Sequence, residues 1–564
     1  MTDFVDNDSK SNAQRRLNTI TTHLSGTDHA FIDSLRLERR PDQVAYISPM
    51  DPLRFLLRSA MVYTNKPALV HQNVTFTYRQ FTERVLRLAN GLLDDYGVQT
   101  GDRVGILCQN IPSFVEATFA IPAAGAIMVP FNTRLAAAEI EYVLGHSGCS
   151  TVIVQQFFLD SRQVSVDHLA KVFPSLRLII VADLPQTPHL DPYEVLLAKH
   201  TSSRLWRDLP LVNDENAVLS INYTSGSTGR PKGVMVTYRG AYLNTLNVAI
   251  HDAISNTSVM LWTLPMFHCN GWGFIWSMVA VGGTQLMLNK IDYDEIWKSL
   301  KTRGVTHYNG APTVQNEVCN HPEAERLPRT VRVLSGGAAL SNVLIKKMLS
   351  LNLQPTQVYG LTETYGPIAM SFEPWNLHDR HPDDLDARCK LMARQGFNTV
   401  AADEIRVLDP TTALDVPSNG TAIGEICFSG NLNMKGYYNN PEETAKTFRA
   451  GFLWTGDLAV RHADGTIEIV DRGKDVIVSG GENISSLEVE NVIVQMDQVS
   501  ECAVIGGPDE KWGERPFAFV VPRKPDHSLQ ADEIINHCRA NLAGYKARLY
   551  VLLEIARLIC FSAL

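Results

Sequence analysis

Residues 223–234, "YTSGSTGRPKGV", gather hydroxyls, glycines and two cations into one short run. Gly226, Gly229 and Gly233 let the backbone come close to a ligand. Thr224, Ser225, Ser227 and Thr228 set hydroxyl donors beside free N–H groups, a set that suits phosphate. The spacing is not that of a Walker A loop, because Gly-x-x-Gly-x-x-Lys lacks the four-residue gap and the Ser or Thr after the lysine. By itself the run also reads as a plain Gly/Ser turn. A second run, Tyr359 to Thr364 ("YGLTET"), places an aromatic plane, Gly360, the Thr362 hydroxyl and the Glu363 carboxylate in quick succession. An aromatic ring can stack on a base, a hydroxyl can donate to a phosphate, and a carboxylate can hold Mg2+ against phosphate oxygens. Alone, Thr362 reads equally as a helix cap. The third run, residues 451–485, holds Asp457, able to accept from both hydroxyls of a ribose, and Arg472, able to serve the sugar or a phosphate. Singly, these two read as a turn residue and a surface charge.

The elements that must carry these residues have an α/β rhythm. "DRVGILCQN" reads as a strand, "IPSFVEATFAIPAAGA" as a helix and "IMVP" as the next strand, and the alternation returns around "CSTVIV" and "LRLIIVAD". Between 258 and 360, "VMLWTLPMF", "GTQLML", "THYNG", "VRVLSGG" and "PTQVYG" read as short apolar strands, several ending on polar or Gly-rich turns. Such strand ends are where open α/β sheets bind ligands. From about 401 the pattern changes to compact strands and turns, and residues 473–545 read as a small α+β unit, which puts a domain boundary near 472–475. A chain of 564 residues that is 45% hydrophobic calls for more than one core. A net charge of −9 argues against a global nucleic-acid or anionic-membrane footprint while leaving room for a local phosphate site. Nine cysteines stand singly with no CxxC pair and no secretory leader, the usage of buried thiols in a reducing compartment. The most apolar stretches, 104–133 and 259–288, are interrupted by Glu116 and prolines and by His268, Asn270 and glycines, so no membrane span is expected.

In this order and spacing the three runs resemble the adenylate-forming superfamily of acyl-CoA synthetases, peptide-synthetase adenylation domains and luciferases, over about residues 50–547. The resemblance implies an α/β fold: a polar extension (1–45), a large N-terminal AMP-binding domain of α/β subdomains (46–472) and a small mobile α+β C-terminal domain (473–564, family-like to about 547). It implies ATP, Mg2+ and CoA, with a small-molecule carboxylic acid as the fourth partner. Thr224, Ser225, Gly226, Ser227, Thr228 and Gly229 become the loop that closes over the β- and γ-phosphates, with Lys232 as its cation. Gly336, Gly337 and Ala338 flank adenine beside Tyr359 and Gly360; Thr362 contacts the α-phosphate and Glu363 holds Mg2+; Asp457 and Arg472 take the ribose. Lys474 is the hinge about which the small domain turns between acyl-adenylate and thioester formation, and Ser479, Gly480 and Gly481 then line the CoA channel. His268, in "PMFHCNGWGF", matches the position beside the α-phosphate and the acyl carboxylate, and "HCNGWGF" with "NGAPTV" (309–314) lines the acyl pocket, where Trp272 and Phe274 otherwise read as plain core aromatics.

One departure stands out. Family members follow the final Gly-Tyr-Lys with a strand and a loop ending in a lysine that bridges the substrate carboxylate and the α-phosphate. "AGYKA" (543–547) fits, but "RLYVLLEIARLICFSAL" does not and holds no lysine. Losing a stabiliser of this kind costs on the order of 10²–10³ in rate. Either the 3′ end of the reading is shifted or unspliced, which the intact motifs favour, or the protein is a weakened relative. Near the N-terminus, Arg16, Leu17, His23 and Leu24 in "RLNTITTHL" resemble the nonapeptide peroxisomal targeting signal, which implies a peroxisomal import receptor as partner; otherwise the protein is cytoplasmic. That signal and the single-chain layout are similar to fungal mevalonyl-CoA ligases of hydroxamate siderophore biosynthesis, so mevalonate is one expected acid, with medium-chain or aryl acids as the alternative. A nucleotide or acyl-adenylate binding module is the competing class, and a P-loop kinase is disfavoured by the loop spacing.

Overall fold

The computed structural model describes residues 26–37, 47–161, 164–183, 187–201, 204–224, 230–371, 383–472, 477–479, 482–509, 512–523, 529–542, 544, 546–547 and 549–553. Hydrophobic strands alternating with helices build two large sheets, as the α/β pattern predicts. The seven-stranded sheet runs in the order Gly436–Tyr437, Lys232–Thr237, Val218–Thr224, Ile127–Pro130, Arg103–Leu107, Thr151–Gln155, Arg177–Val181. Its last five strands are parallel and its first two join antiparallel. The helix predicted at "IPSFVEATFAIPAAGA" is Pro112–Ala123, which opens on a proline and is buried along its whole length. Its one charge, Glu116, is held by Arg84 Nε at 2.6 Å and by the Tyr193 hydroxyl at 2.6 Å, which makes burial of a carboxylate tolerable.

The nine-stranded sheet runs Phe397–Asn398, Gly366–Met370, Leu353–Leu361, Val331–Ser335, His307–Gly310, Val259–Leu261, Thr284–Leu286, Pro67–His71, Val74–Thr77. Its six inner strands are parallel, so the glycine- and threonine-rich turns after Val331–Ser335 and Leu353–Leu361 emerge on one edge. The run "VMLWTLPMF" is a strand only at Val259–Leu261, because Pro265 and the turn beyond it end the ladder. A five-stranded antiparallel sheet, in which Phe452–Arg461 pairs with both Ile423–Ser429 and Ile467–Arg472, follows in the chain.

The smaller C-terminal domain has its own sheet and core. Gly513–Pro522 pairs with Val499–Asp509, Ile477–Ser479 and Tyr550–Leu553, and helices Ser486–Ile493 and Ala531–Asn541 close over Ile477, Val489, Ile493, Val504, Val520 and Ile534. Beyond "AGYKA", Tyr550–Leu553 is a strand lying parallel to Gly513–Pro522. Among the described residues, no helix is long and apolar enough to cross a membrane.

Candidate active site

The hairpin formed by Val218–Thr224 and Lys232–Thr237 sets Thr224 opposite Lys232 across the ladder. Ser225, Gly226, Ser227, Thr228 and Gly229 lie outside the described residues. The Lys232 ammonium donates to Glu443 Oε2 at 2.6 Å and stands 5.2 Å from the centre of the Tyr437 ring. Glu443 sits in the first turn of helix Pro441–Thr447, which Asn440 caps, and Lys232 and Lys446 together pull its pKa down to about 2. On the other side of the Tyr437 ring its hydroxyl donates to Glu363 Oε1 at 2.7 Å. Burial and the neighbouring Glu363 charge push the Tyr437 phenol up, so it remains a donor. Burial also raises the Glu363 carboxyl above the usual range, opposed by the Tyr437 hydrogen bond and the Lys232 charge.

Glu363 and Thr362 belong to the short turn Thr362–Thr364 that ends Leu353–Leu361. Gly360 must be glycine, since a Cβ there would run into the Gly366 carbonyl oxygen of the returning strand. Tyr359, two residues into the strand end, donates its hydroxyl to Asp457 Oδ2 at 2.6 Å. The antiparallel register sets Asp457 directly opposite Arg472, so the two proposed ribose residues come together by strand pairing. Gly336, Gly337 and Ala338 leave the neighbouring strand Val331–Ser335, and Gln357 Nε2 donates to the Ala338 carbonyl at 3.1 Å. Ser479 is buried and pairs with Glu482 and Gly513, while Lys474, Gly480 and Gly481 lie outside the described residues, as do the targeting residues Arg16, Leu17, His23 and Leu24.

His268 opens a tight turn. Cys269, Asn270, Gly271, Trp272 and Gly273 all have positive φ, at 40, 44, 66, 53 and 80°. Left-handed backbone costs a non-glycine residue about 1–2 kcal/mol, and such strain persists where surrounding contacts fix it. The fixing contacts are visible. Asn270 Nδ2 and Trp276 Nε1 both donate to the Tyr365 hydroxyl at 3.1 Å, and Asn244 Nδ2 donates to the Tyr365 carbonyl at 3.1 Å. The Cys269 thiol donates to Thr362 Oγ1 at 3.5 Å, and its sulfur lies 3.9 Å from His268 Nδ1. The His268 ring reaches solvent, yet protein crowds it, and that desolvation with the Arg134 charge holds its pKa below the usual imidazole range. It is therefore a neutral donor or acceptor at pH 7.

The sequence reading thus missed Tyr437, Glu443 and Tyr365, and it placed Cys269 and Asn270 in the acyl-pocket segment without their contacts to Thr362 and Tyr365. "GYYNNPEET" carries a cap, a proline and two acids, which announce a helix start, but nothing in it announces a return to the 223–234 hairpin. Glu363 fits a hard cation: one half-buried carboxylate beside a phosphate-compatible lysine suits Mg2+, which takes one or two carboxylates and completes its shell with phosphate oxygens and water. Among the described residues there is no group of three or more His, Cys, Asp or Glu that would hold a metal by itself.

The sequence matches the family model for AMP-binding enzymes over residues 56–438 and that for the AMP-binding enzyme C-terminal domain over 488–555. It is 37% identical over 527 residues to a peroxisomal acetate/butyrate–CoA ligase of Arabidopsis thaliana, covering 90% of this chain and 91% of the relative. It is 36% identical over 522 residues to a peroxisomal benzoate–CoA ligase of the same plant, covering 88% of each. The o-succinylbenzoate CoA synthetase of Bacillus subtilis, solved with its acyl-adenylate intermediate, superposes with a TM-score of 0.73 at 26% identity, over 88% of this chain and 94% of that one. Its complex with ATP and magnesium superposes with a TM-score of 0.73 at 25% identity, over 88% of this chain and 95% of that one.

Proposed function

The chain belongs to the AMP-binding enzyme family and is an AMP-forming acid–thiol ligase, and from that premise we propose that it activates a small carboxylic acid as the adenylate and passes the acyl group to CoA. The observation that carries the residue assignments is the chain of contacts around one strand end: Lys232, Tyr437 and Glu363 on one side, His268, Cys269 and Thr362 on the other, with Tyr359 and Asp457 beside them.

In the first half-reaction a carboxylate oxygen of the acid attacks the α-phosphorus of ATP, the bond from that phosphorus to the pyrophosphate oxygen breaks, and acyl-AMP and pyrophosphate result. Lys232 offsets the negative charge of the outer phosphates, and the Thr362 hydroxyl donates to an α-phosphate oxygen. Tyr359 lies against the base, and Asp457 with Arg472 takes the ribose. Neutral His268 offers a hydrogen bond near the carboxylate and orients it for in-line attack. Glu363 would hold Mg2+, which when bound would add charge neutralisation on the phosphates. In the second half-reaction the small domain, beginning near residue 473, turns about Lys474 and brings Ser479, Gly480 and Gly481 to the site. The CoA sulfur attacks the acyl carbon, the bond to the AMP oxygen breaks, and the thiol proton passes to solvent.

The acid is small on this reading. Trp272 presents its indole edge to Gly336, where an added Cβ would lie 3.2 Å from Trp272 Cη2, so the indole fills the space beyond the strand end. Acetate, butyrate and benzoate are the acids named for the relatives and support a small acid; the short hydroxylated mevalonate of the siderophore reading is of the same class. Localisation to the peroxisome through residues 16–24 and its import receptor completes the proposal, supported by the peroxisomal relatives. The test is to incubate the full-length protein with MgATP, CoA and a panel of acetate, butyrate, benzoate, mevalonate and a medium-chain acid. AMP, pyrophosphate and acyl-CoA should form with the short acids. Formation of ADP would sink the ligase reading, nucleotide binding without turnover would favour a binding module, and a preference for the medium-chain acid would remove the size limit. A tagged protein lacking residues 16–24 should lose punctate localisation and keep its activity.

A further inference from the structure

The two strands that carry Thr224 and Lys232 are gripped from outside the site by one face of helix Ala137–Ser147. Tyr142 and His146, one turn apart, present stacked rings 5.6 Å apart to the hairpin. His146 Nδ1 lies 2.7 Å from the hydroxyl of Tyr223, the residue before Thr224. Tyr142 donates its hydroxyl to the Pro231 carbonyl at 3.2 Å, the residue before Lys232. The Arg230 guanidinium lies 5.5 Å over the Tyr142 ring, so the return limb is held by a cation–π contact as well. From the far side Tyr438 sets its ring edge-on to His146 at 5.9 Å and donates its backbone N–H to the Gly233 carbonyl at 2.7 Å. Burial lowers the His146 pKa and raises that of Tyr223, so the pair stands as a neutral imidazole and a phenol sharing one hydrogen bond.

Neither helix residue touches the proposed nucleotide contacts directly, yet each bonds to the residue immediately before one of them. We infer that Tyr142 and His146 are positioning residues for ATP: together they fix the spacing and direction of the hairpin ends, and hence where the Thr224 hydroxyl and the Lys232 ammonium meet the phosphates. The acid-side residues His268 and Trp272 lie in the turn beyond Val259–Leu261 of the nine-stranded sheet, away from the hairpin's own sheet, so the effect falls on ATP and not on the acid. The inference rests on the ligase reading for the role of Lys232.

The test compares full-length wild type with Tyr142→Phe, His146→Ala and His146→Asn, measuring the Kd for MgATP by titration calorimetry and the KM values for ATP and for the acid. Loss of one such hydrogen bond should weaken MgATP binding by about 3- to 10-fold in Tyr142→Phe and His146→Ala, with the acid KM within about twofold of wild type. His146→Asn, whose amide can occupy the place of Nδ1, should recover most of the affinity. Unchanged ATP affinity in both Tyr142→Phe and His146→Ala, or ATP and acid KM rising in parallel, would overturn the inference. If His146→Ala unfolds, Tyr142→Phe and His146→Asn still decide it. A wild type that neither binds MgATP nor forms AMP would instead defeat the ligase reading on which the inference stands.

Discussion

Replacing Tyr437 by Phe removes one hydroxyl and leaves the ring over which Lys232 stands at 5.2 Å. The hydroxyl donates to Glu363 Oε1 at 2.7 Å, and that bond is the largest influence opposing the rise in the Glu363 pKa caused by burial. A hydrogen bond to a charged group contributes about 1.5–3 kcal/mol, and Glu363 is only half-buried, so about 1.5 kcal/mol is the fitting figure. Losing it leaves burial less opposed and raises the carboxyl pKa further. The sign follows from which form does the work: Mg2+ needs the carboxylate, so raising the pKa moves the acidic limb of the adenylation rate to higher pH. Pyrophosphate release, followed across pH at fixed MgATP, should show the limb displaced to higher pH, with the rate deficit largest on the acidic side; about 1.5 kcal/mol corresponds to roughly a tenfold loss there. A limb that stays in place, or moves to lower pH, refutes the argument that Tyr437 holds Glu363 in its charged form.

Other expectations follow from particular buried groups. Tyr365→Phe leaves the Asn270 Nδ2 and Trp276 Nε1 donors without their acceptor, at about 1–3 kcal/mol each, and denaturant unfolding should show a loss of about 2 kcal/mol or more. Asp252 is 2% exposed, its Oδ2 makes no hydrogen bond, and burial raises its pKa well above the usual carboxylate range. The folded chain then keeps a proton that the unfolded chain gives up, so stability drains as pH rises toward the folded pKa. Asp252→Asn does not titrate, and its melting temperature relative to wild type should climb as pH rises above the ordinary carboxylate range; a constant difference would contradict the burial argument. Trp272→Ala should admit longer acids, seen as a lower KM for a medium-chain acid than for acetate.

The α/β class and the smaller C-terminal domain were legible because buried parallel strands read as apolar runs and their flanking helices carry caps and prolines. The nucleotide-facing residues were legible for a different reason: glycine, hydroxyl and carboxylate types crowd into short runs, as at 359–364. Long-range partners were not. Glu443 lies 211 residues from Lys232, and no local pattern ties a capped helix start to a distant hairpin. The left-handed turn at Cys269–Gly273 was hidden too, since Cys and Trp give no hint of positive φ; what imposes it is the contact with Tyr365, almost a hundred positions away in sequence but adjacent in space.

The site is a junction more than a pocket in any one sheet. Tyr359 reaches from the nine-stranded sheet to Asp457 in the antiparallel sheet, and Tyr437 reaches from the seven-stranded sheet to Glu363 at the end of the nine-stranded one. Each bond crosses between separately built layers and ends on a carboxylate proposed to meet the nucleotide. A charge-assisted bond is short and directional, so small errors in how the sheets dock would be felt first at these two carboxylates. Binding ATP across the junction would then tie the same three layers together through the ligand, and because only the folded arrangement presents all of these groups at once, nucleotide binding should stabilise the large domain as a whole.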